Sequence, residues 1–361
     1  MNADERNTLG VQNSEILEFE DENKELISTA KRGDPKAQEY LGDEYQYASS
    51  NDDLGQREAV KWYKKAAKQG NASALRKLGD CFQWGIGCNE NHKKAFDCFL
   101  KAAELGNLEA IKDVAQCYLC GDGTTQNYQK ALEFYQKASE GGDCFSQYHI
   151  GNLYFYGLGT ERSYEQAFQW YTLAAKRCHD ACAKLGDYYF YGIGREVDIK
   201  KAVWWYKKAS ESSAHAMRML GDYYYYGQGI KVNLKKAIDW YTKASEFSDI
   251  HATRMLADCY YYGIGTKRNF DEAFRLYGEI AYVDIHACYM LANCYYHGIG
   301  TEINVEKAIR LYANAAENGD RDAYHALDYY YDAHTGEGAD KWHDRSSARY
   351  EYWMRTVTLL S

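Results

Sequence analysis

Proline is almost missing from this chain. Pro35 is the only one in 361 residues, which excludes Pro-rich linkers between domains. No run of about 18 apolar residues occurs, so no membrane-spanning helix and no membrane insertion are expected. The opening residues, 1–10, are polar and acidic, and no secretory signal is read there. A net charge of −9 makes a nucleic-acid backbone or an anionic membrane a poor principal ligand. No nucleophile, base and orienting acid stand together outside the periodic positions described below. Cysteines number 11, an odd total. Four of them, Cys81, Cys117, Cys259 and Cys294, occupy one recurring position that has no partner position. They are expected to be reduced, small and buried, in a cytoplasmic protein. The Cys178-His179-x-x-Cys182 and Cys288…Cys294-x-x-His297 stretches carry ligand-type side chains but no repeated Cys-x-x-Cys, and are read as ordinary buried cysteines. No cofactor, no metal and no enzymatic activity are expected.

What the chain has in abundance is one pattern. Gly-x-Gly recurs seven times at near-constant spacing, at Gly85/Gly87, Gly121/Gly123, Gly157/Gly159, Gly192/Gly194, Gly227/Gly229, Gly263/Gly265 and Gly298/Gly300. The intervals are 35 or 36 residues, too long for one helix or strand. A whole helix-turn-helix unit is therefore repeated and stacked. Each unit is anchored on an apolar residue, such as Leu185, Leu220, Leu256 or Leu291. Four residues earlier stands a small residue (Ala181, Ala216, Ala252, Ala287), one later a Gly or Ala, and four later a Tyr (Tyr189, Tyr224, Tyr260, Tyr295). This spacing places them on one stripe of a first helix, helix A. The first glycine of each pair suits a left-handed C-cap. Asn91, Asn127, Ser163, Asp198, Asn233, Asn269 and Asn304 are then predicted to cap a second helix, helix B. Helix B carries an Ala and, four residues on, an aromatic, as in Ala237 and Tyr241. The tyrosine bodies are expected to fill the interior, with their hydroxyls reaching a loop or water.

These positions, A-x-x-x-L-G-x-x-Y-x-x-G-x-G followed by A-x-x-W-Y-x-x-A, as in Ala216 to Gly229 and Ala237 to Ala244, resemble the Sel1-like repeat family, relatives of tetratricopeptide repeats. The resemblance covers about eight units from residue 37 to 319, with an atypical ninth from Asp322. It implies an all-α, right-handed α/α superhelical solenoid of eight to nine repeats with terminal capping helices. The expected organisation is a disordered tail (1–13), a capping helix (14–33), the array (34–331), then a polar loop and closing helix (332–361). The family implies scaffolds and adaptors whose partner is a protein or peptide.

By analogy with tetratricopeptide arrays, helix A is expected to line a concave groove. Two residues after the anchor stand Asp187, Asp222, Asp258 and Asn293; five after stand Phe190, Tyr225, Tyr261 and Tyr296. Two before stand Arg218, Arg254 and Tyr289; five before stand His215, His251 and His286. Tyr and Arg offer large contact area with a polar handle, and an Asp ladder can pair with an extended backbone. The reading carried forward is that this ladder binds the partner. Its alternative is that Asp and Arg lace adjacent repeats together. Three other readings stay open: an RNA-binding array, which the net charge opposes; an enzyme or small-ligand binder with an inner pocket; and a bacterial effector or immunity component acting on a host or phage protein.

Overall fold

A computed structural model describes residues 23–48 and 53–335. Among the described residues there are eighteen helices and no strand. The chain divides into two compact units, residues 1–181 and 182–361. The first holds α1 (Lys24–Lys31), α2 (Pro35–Ala48), α3 (Asp53–Lys68), α4 (Ala72–Trp84), α5 (His92–Glu104), α6 (Leu108–Cys120), α7 (Tyr128–Ser139), α8 (Cys144–Tyr156) and α9 (Tyr164–Ala174). The division falls inside α10 (His179–Tyr191). The second holds α11 (Ile199–Ala209), α12 (Ala214–Tyr226), α13 (Leu234–Glu246), α14 (Ile250–Tyr262), α15 (Phe270–Ile280), α16 (Ile285–His297), α17 (Val305–Glu317) and α18 (Arg321–Thr335). From α2 onward the helices alternate as A and B of successive repeats, and each packs on its chain neighbours within its unit.

Local chemistry sets the ends of these helices. Every predicted helix-B cap accepts a backbone N–H three residues on, as Asn233 does from Lys236 at 3.0 Å. Helix A has caps of its own that were not anticipated: Asn71, Asn107, Asp143, Ser213, Asp249 and Asp284. The connecting loop is pinned by a second bond, in which the Asn233 N–H donates to the Tyr224 carbonyl at 2.8 Å. That bond recurs in the other Gly-x-Gly repeats, for example from Asn304 to Tyr295. A loop closed at both ends cannot change length without losing one of them, which explains its constancy.

The core of each repeat lies between its two helices. Leu220, Ala216, Ala237, Tyr241 and Ala244 are all fully buried. The glycine beside the anchor has a specific reason. A Cβ on Gly221 would stand 2.5 Å from the Tyr241 ring, and Gly42, Gly79, Gly151 and Gly186 are overlain in the same way by Tyr63, Phe99, Tyr171 and Tyr206. The aromatic of helix B thus lies flat on the bare backbone of helix A.

α1 lies within the 14–33 stretch where a capping helix is expected; the stretches expected to form the tail (1–13) and the closing helix (near 345–360) lie outside the described residues. α18 continues to Thr335, into the 332–361 stretch where a polar loop and closing helix are expected.

Candidate functional site

All the candidate residues lie in the second unit, on its A helices. Their lowest layer is a row of buried tyrosines from helix B. Tyr206 donates its hydroxyl to Asp187 at 2.8 Å, Tyr241 to Asp222 at 2.8 Å, Tyr277 to Asp258 at 2.6 Å, and Tyr312 to Asn293 at 2.7 Å. The expectation that these hydroxyls reach a loop or water is corrected here: each meets the side chain two residues past the anchor. In the Tyr206 and Tyr241 repeats the ring lies over the glycine one residue past the anchor, which carries its hydroxyl to the next position; Ala257 and Ala292 stand at that place in the other two, and the bond is kept. Burial, then the carboxylates, push the pKa of Tyr206, Tyr241 and Tyr277 far up, so they remain donors.

The second layer joins successive repeats. His215 Nε2 lies 2.7 Å from Asp187 of the preceding repeat, and the Arg218 guanidinium donates to His215 Nδ1 at 2.8 Å. This arrangement uses the neutral imidazole, donating through Nε2. Arg218 also spans Asp222 at 3.3 Å and Asp249, the cap of the next helix A, at 3.5 Å. One repeat on, His251 stands 4.0 Å from Asp222 and accepts from Arg254 at 3.0 Å. Arg254 in turn spans Asp258 at 3.7 Å and Asp284 at 3.4 Å. His286 faces Asp258 at 3.7 Å, with Tyr289 standing where an Arg stood before. Asp, His and Arg therefore do lace neighbouring repeats. The Asp side chains remain 13–19% exposed and the His side chains 37–43%, so the lattice also meets solvent.

Two lattice histidines have opposite electrostatics. The bond to Asp258 raises the His286 pKa above its ordinary 6.5, outweighing burial. Burial, then Arg254, lowers that of His251. A raised folded pKa contributes stability below the unfolded value that is lost as pH rises through the folded one. A lowered folded pKa on a base contributes stability present above the unfolded value that is lost as pH falls through the folded one. The expected result of an NMR titration is therefore that His286 gains its proton at higher pH than His251. The reverse order would show that Asp258 does not hold His286.

Phe190, Tyr225, Tyr261 and Tyr296 are half-buried. Each lies edge-on to the residue that follows it, at ring separations of 4.6–4.9 Å. That following position, six past the anchor, was missed in the sequence. It carries Tyr191, Tyr226 and Tyr262, which are 62%, 57% and 50% exposed. A signal was available: at about 100° per residue the sixth position shares an arc with the His and Asp positions. Elsewhere, Cys288 is buried and donates to the Leu311 carbonyl at 3.4 Å, and all 11 cysteines are free. Among the described residues no three His, Cys, Asp or Glu side chains are grouped as metal ligands.

With this geometry in hand, comparison decides the family. The Sel1 repeat model matches residues 35–71, 72–107, 108–143, 145–177, 179–213, 214–246, 250–281 and 285–320. The chain belongs to the Sel1 repeat family. Among solved structures, this Sel1 array is similar to a Sel1 repeat protein from Oxalobacter formigenes, with TM-score 0.69 and 22% identity over 85% of this chain and 90% of that one. It is also similar to c5321, a protective antigen present in uropathogenic Escherichia coli strains, with TM-score 0.55 and 23% identity over 92% of this chain and 77% of that one. Both likenesses show the shared Sel1 fold. No curated protein matches the sequence.

Proposed function

We propose that this Sel1 array is a non-enzymatic scaffold or adaptor that binds a protein or peptide through the helix-A face of its second unit, in a reducing, cytoplasmic setting. The fold is of a kind typical of protein–protein interaction scaffolds. No helix among the described residues is long and apolar enough to cross a membrane. The observation that carries the reading is the row of exposed rings, Tyr191, Tyr226 and Tyr262, seated on a lattice whose polar groups hold one another. Rings held in place before binding lose little entropy when a partner arrives, and Tyr is enriched at binding hot spots. In this reading Asp187, Asp222, Asp258 and Asn293 hold the surface as well as meet the partner. Eleven free cysteines fit a reducing compartment.

The test is photo-crosslinking in cells with benzoylphenylalanine at Tyr226 or Tyr262, compared with the exposed Trp204 on α11. A discrete polypeptide adduct at 226 and 262 is expected. Adducts at 204 alone would remove the helix-A face from the reading.

A further inference from the structure

We infer that the helix-A face of the second unit takes an extended, cationic segment of its partner, with Lys or Arg side chains seated among the exposed tyrosines and lattice carboxylates. This rests on the scaffold reading above and adds the chemistry of the partner.

Three observations carry it. The first is charge. The lattice gathers five carboxylates, Asp187, Asp222, Asp249, Asp258 and Asp284, against three cations, Lys184, Arg218 and Arg254. The surplus is also directed outward. Asp187 and Asp258 each use Oδ1 for a tyrosine hydroxyl, whereas their Oδ2 atoms meet Lys184 at 3.9 Å and Arg254 at 3.7 Å. Both distances exceed a hydrogen bond, so each Oδ2 retains room for an N–H donor.

The second is the set of rings. Tyr191, Tyr226 and Tyr262 stand half or more exposed beside those carboxylates, and an aromatic face attracts ammonium and guanidinium groups. This chain already pairs such groups on helix B, where Lys208 lies 4.4 Å from the Trp204 ring centre and Lys243 lies 4.6 Å from that of Trp240.

The third is an unpaired buried hydroxyl. Tyr223 is 1% exposed and its hydroxyl has no hydrogen-bond partner. Its ring lies 5.5 Å from Phe190 and 6.0 Å from Tyr206, and its hydroxyl feels Tyr191, Asp187 and Asp222. A buried hydroxyl without a partner is costly, and this one sits in the negative field of Asp187 and Asp222 that a cation bound over the face would offset.

The experiment is fluorescence anisotropy of the full-length protein with labelled peptides of repeated Lys-Ser-Ser, or of repeated Glu-Ser-Ser as the opposite charge. The Lys peptide is expected to bind and to weaken as salt is raised. In the Y226A/Y262A double variant its affinity should fall roughly tenfold, from two cation–π contacts, while Y226F/Y262F keeps wild-type affinity. Both double variants retain the net charge and alter exposed side chains, so their circular dichroism should match wild type. Equal binding of the Glu peptide overturns the inference. So does unchanged affinity of the Lys peptide in Y226A/Y262A, which marks general attraction to an acidic chain. If crosslinking at Tyr226 captures a polypeptide whose attached segment has no excess of Lys or Arg, the cationic assignment falls and the scaffold reading stands. If crosslinking at Tyr226 and Tyr262 captures nothing, the scaffold reading falls and takes this inference with it.

Discussion

Gly123→Ala is expected to cost roughly 2–5 kcal/mol, against about 1–2 kcal/mol for Gly106→Ala in the same unit. Both glycines have positive φ, +67° and +84° respectively. Both substitutions therefore carry the strain of a left-handed L-residue. The surroundings differ. A Cβ on Gly106 has nothing within 4 Å, whereas one on Gly123 falls on the carbonyl oxygen of His92, at the start of helix B in the preceding repeat. That obstacle is backbone in the first turn of α5, and it cannot rotate away as a side chain can. The second glycine of the pair makes this approach elsewhere too: Gly87 meets Gln56 and Gly300 meets Phe270. Gly-x-Gly therefore has two jobs. Its first member ends helix A, and its second lets the loop rest on the previous repeat. Urea unfolding followed by circular dichroism gives the cost, and amide exchange in α5 and α6 gives its location. Equal costs for the two variants would show that the loop moves aside freely.

Tyr241→Ala is expected to cost roughly 3–5 kcal/mol, as a large buried aromatic is lost. Tyr241→Phe is expected to cost about 1–2 kcal/mol, because the ring stays and a half-buried carboxylate loses its donor. The Phe variant is the more informative of the two. It leaves the packing over Gly221 intact and cuts only the link between helix B and the lattice at Asp222. If that link matters, adding Asp222→Ala to Tyr241→Phe should cost less than the sum of the two single changes. Strict additivity would mean that the 2.8 Å bond contributes nothing to stability. Amide exchange should also rise in α14, since Asp222 faces His251 of that helix.

Much of the architecture was legible in the sequence because it is carried by short-range chemistry. The helix-B caps, the left-handed glycines and the alternation of small and aromatic residues all act within a few residues of themselves. A 35-residue period therefore repeats them faithfully. The Asp, Arg and His candidates could be listed from that period, but their bonds could not. Arg218 reaches Asp249, 31 residues away, and His215 reaches back 28 residues to Asp187. Tyr191, Tyr226 and Tyr262 were passed over because an aromatic beside a core column looks like more core. Their exposure depends on how helix A is turned about its axis.

Composition and period alone determined that this chain is a stack of helix pairs, and which residues recur at equivalent places. The tertiary structure decided which of those places touch. A period states which residues are equivalent, whereas contact depends on the rotation and separation of helices set by the Tyr241 ring lying on Gly221 and its counterparts in other repeats. That packing turns the buried tyrosine hydroxyls onto the carboxylates and leaves Tyr226 and Tyr262 facing outward.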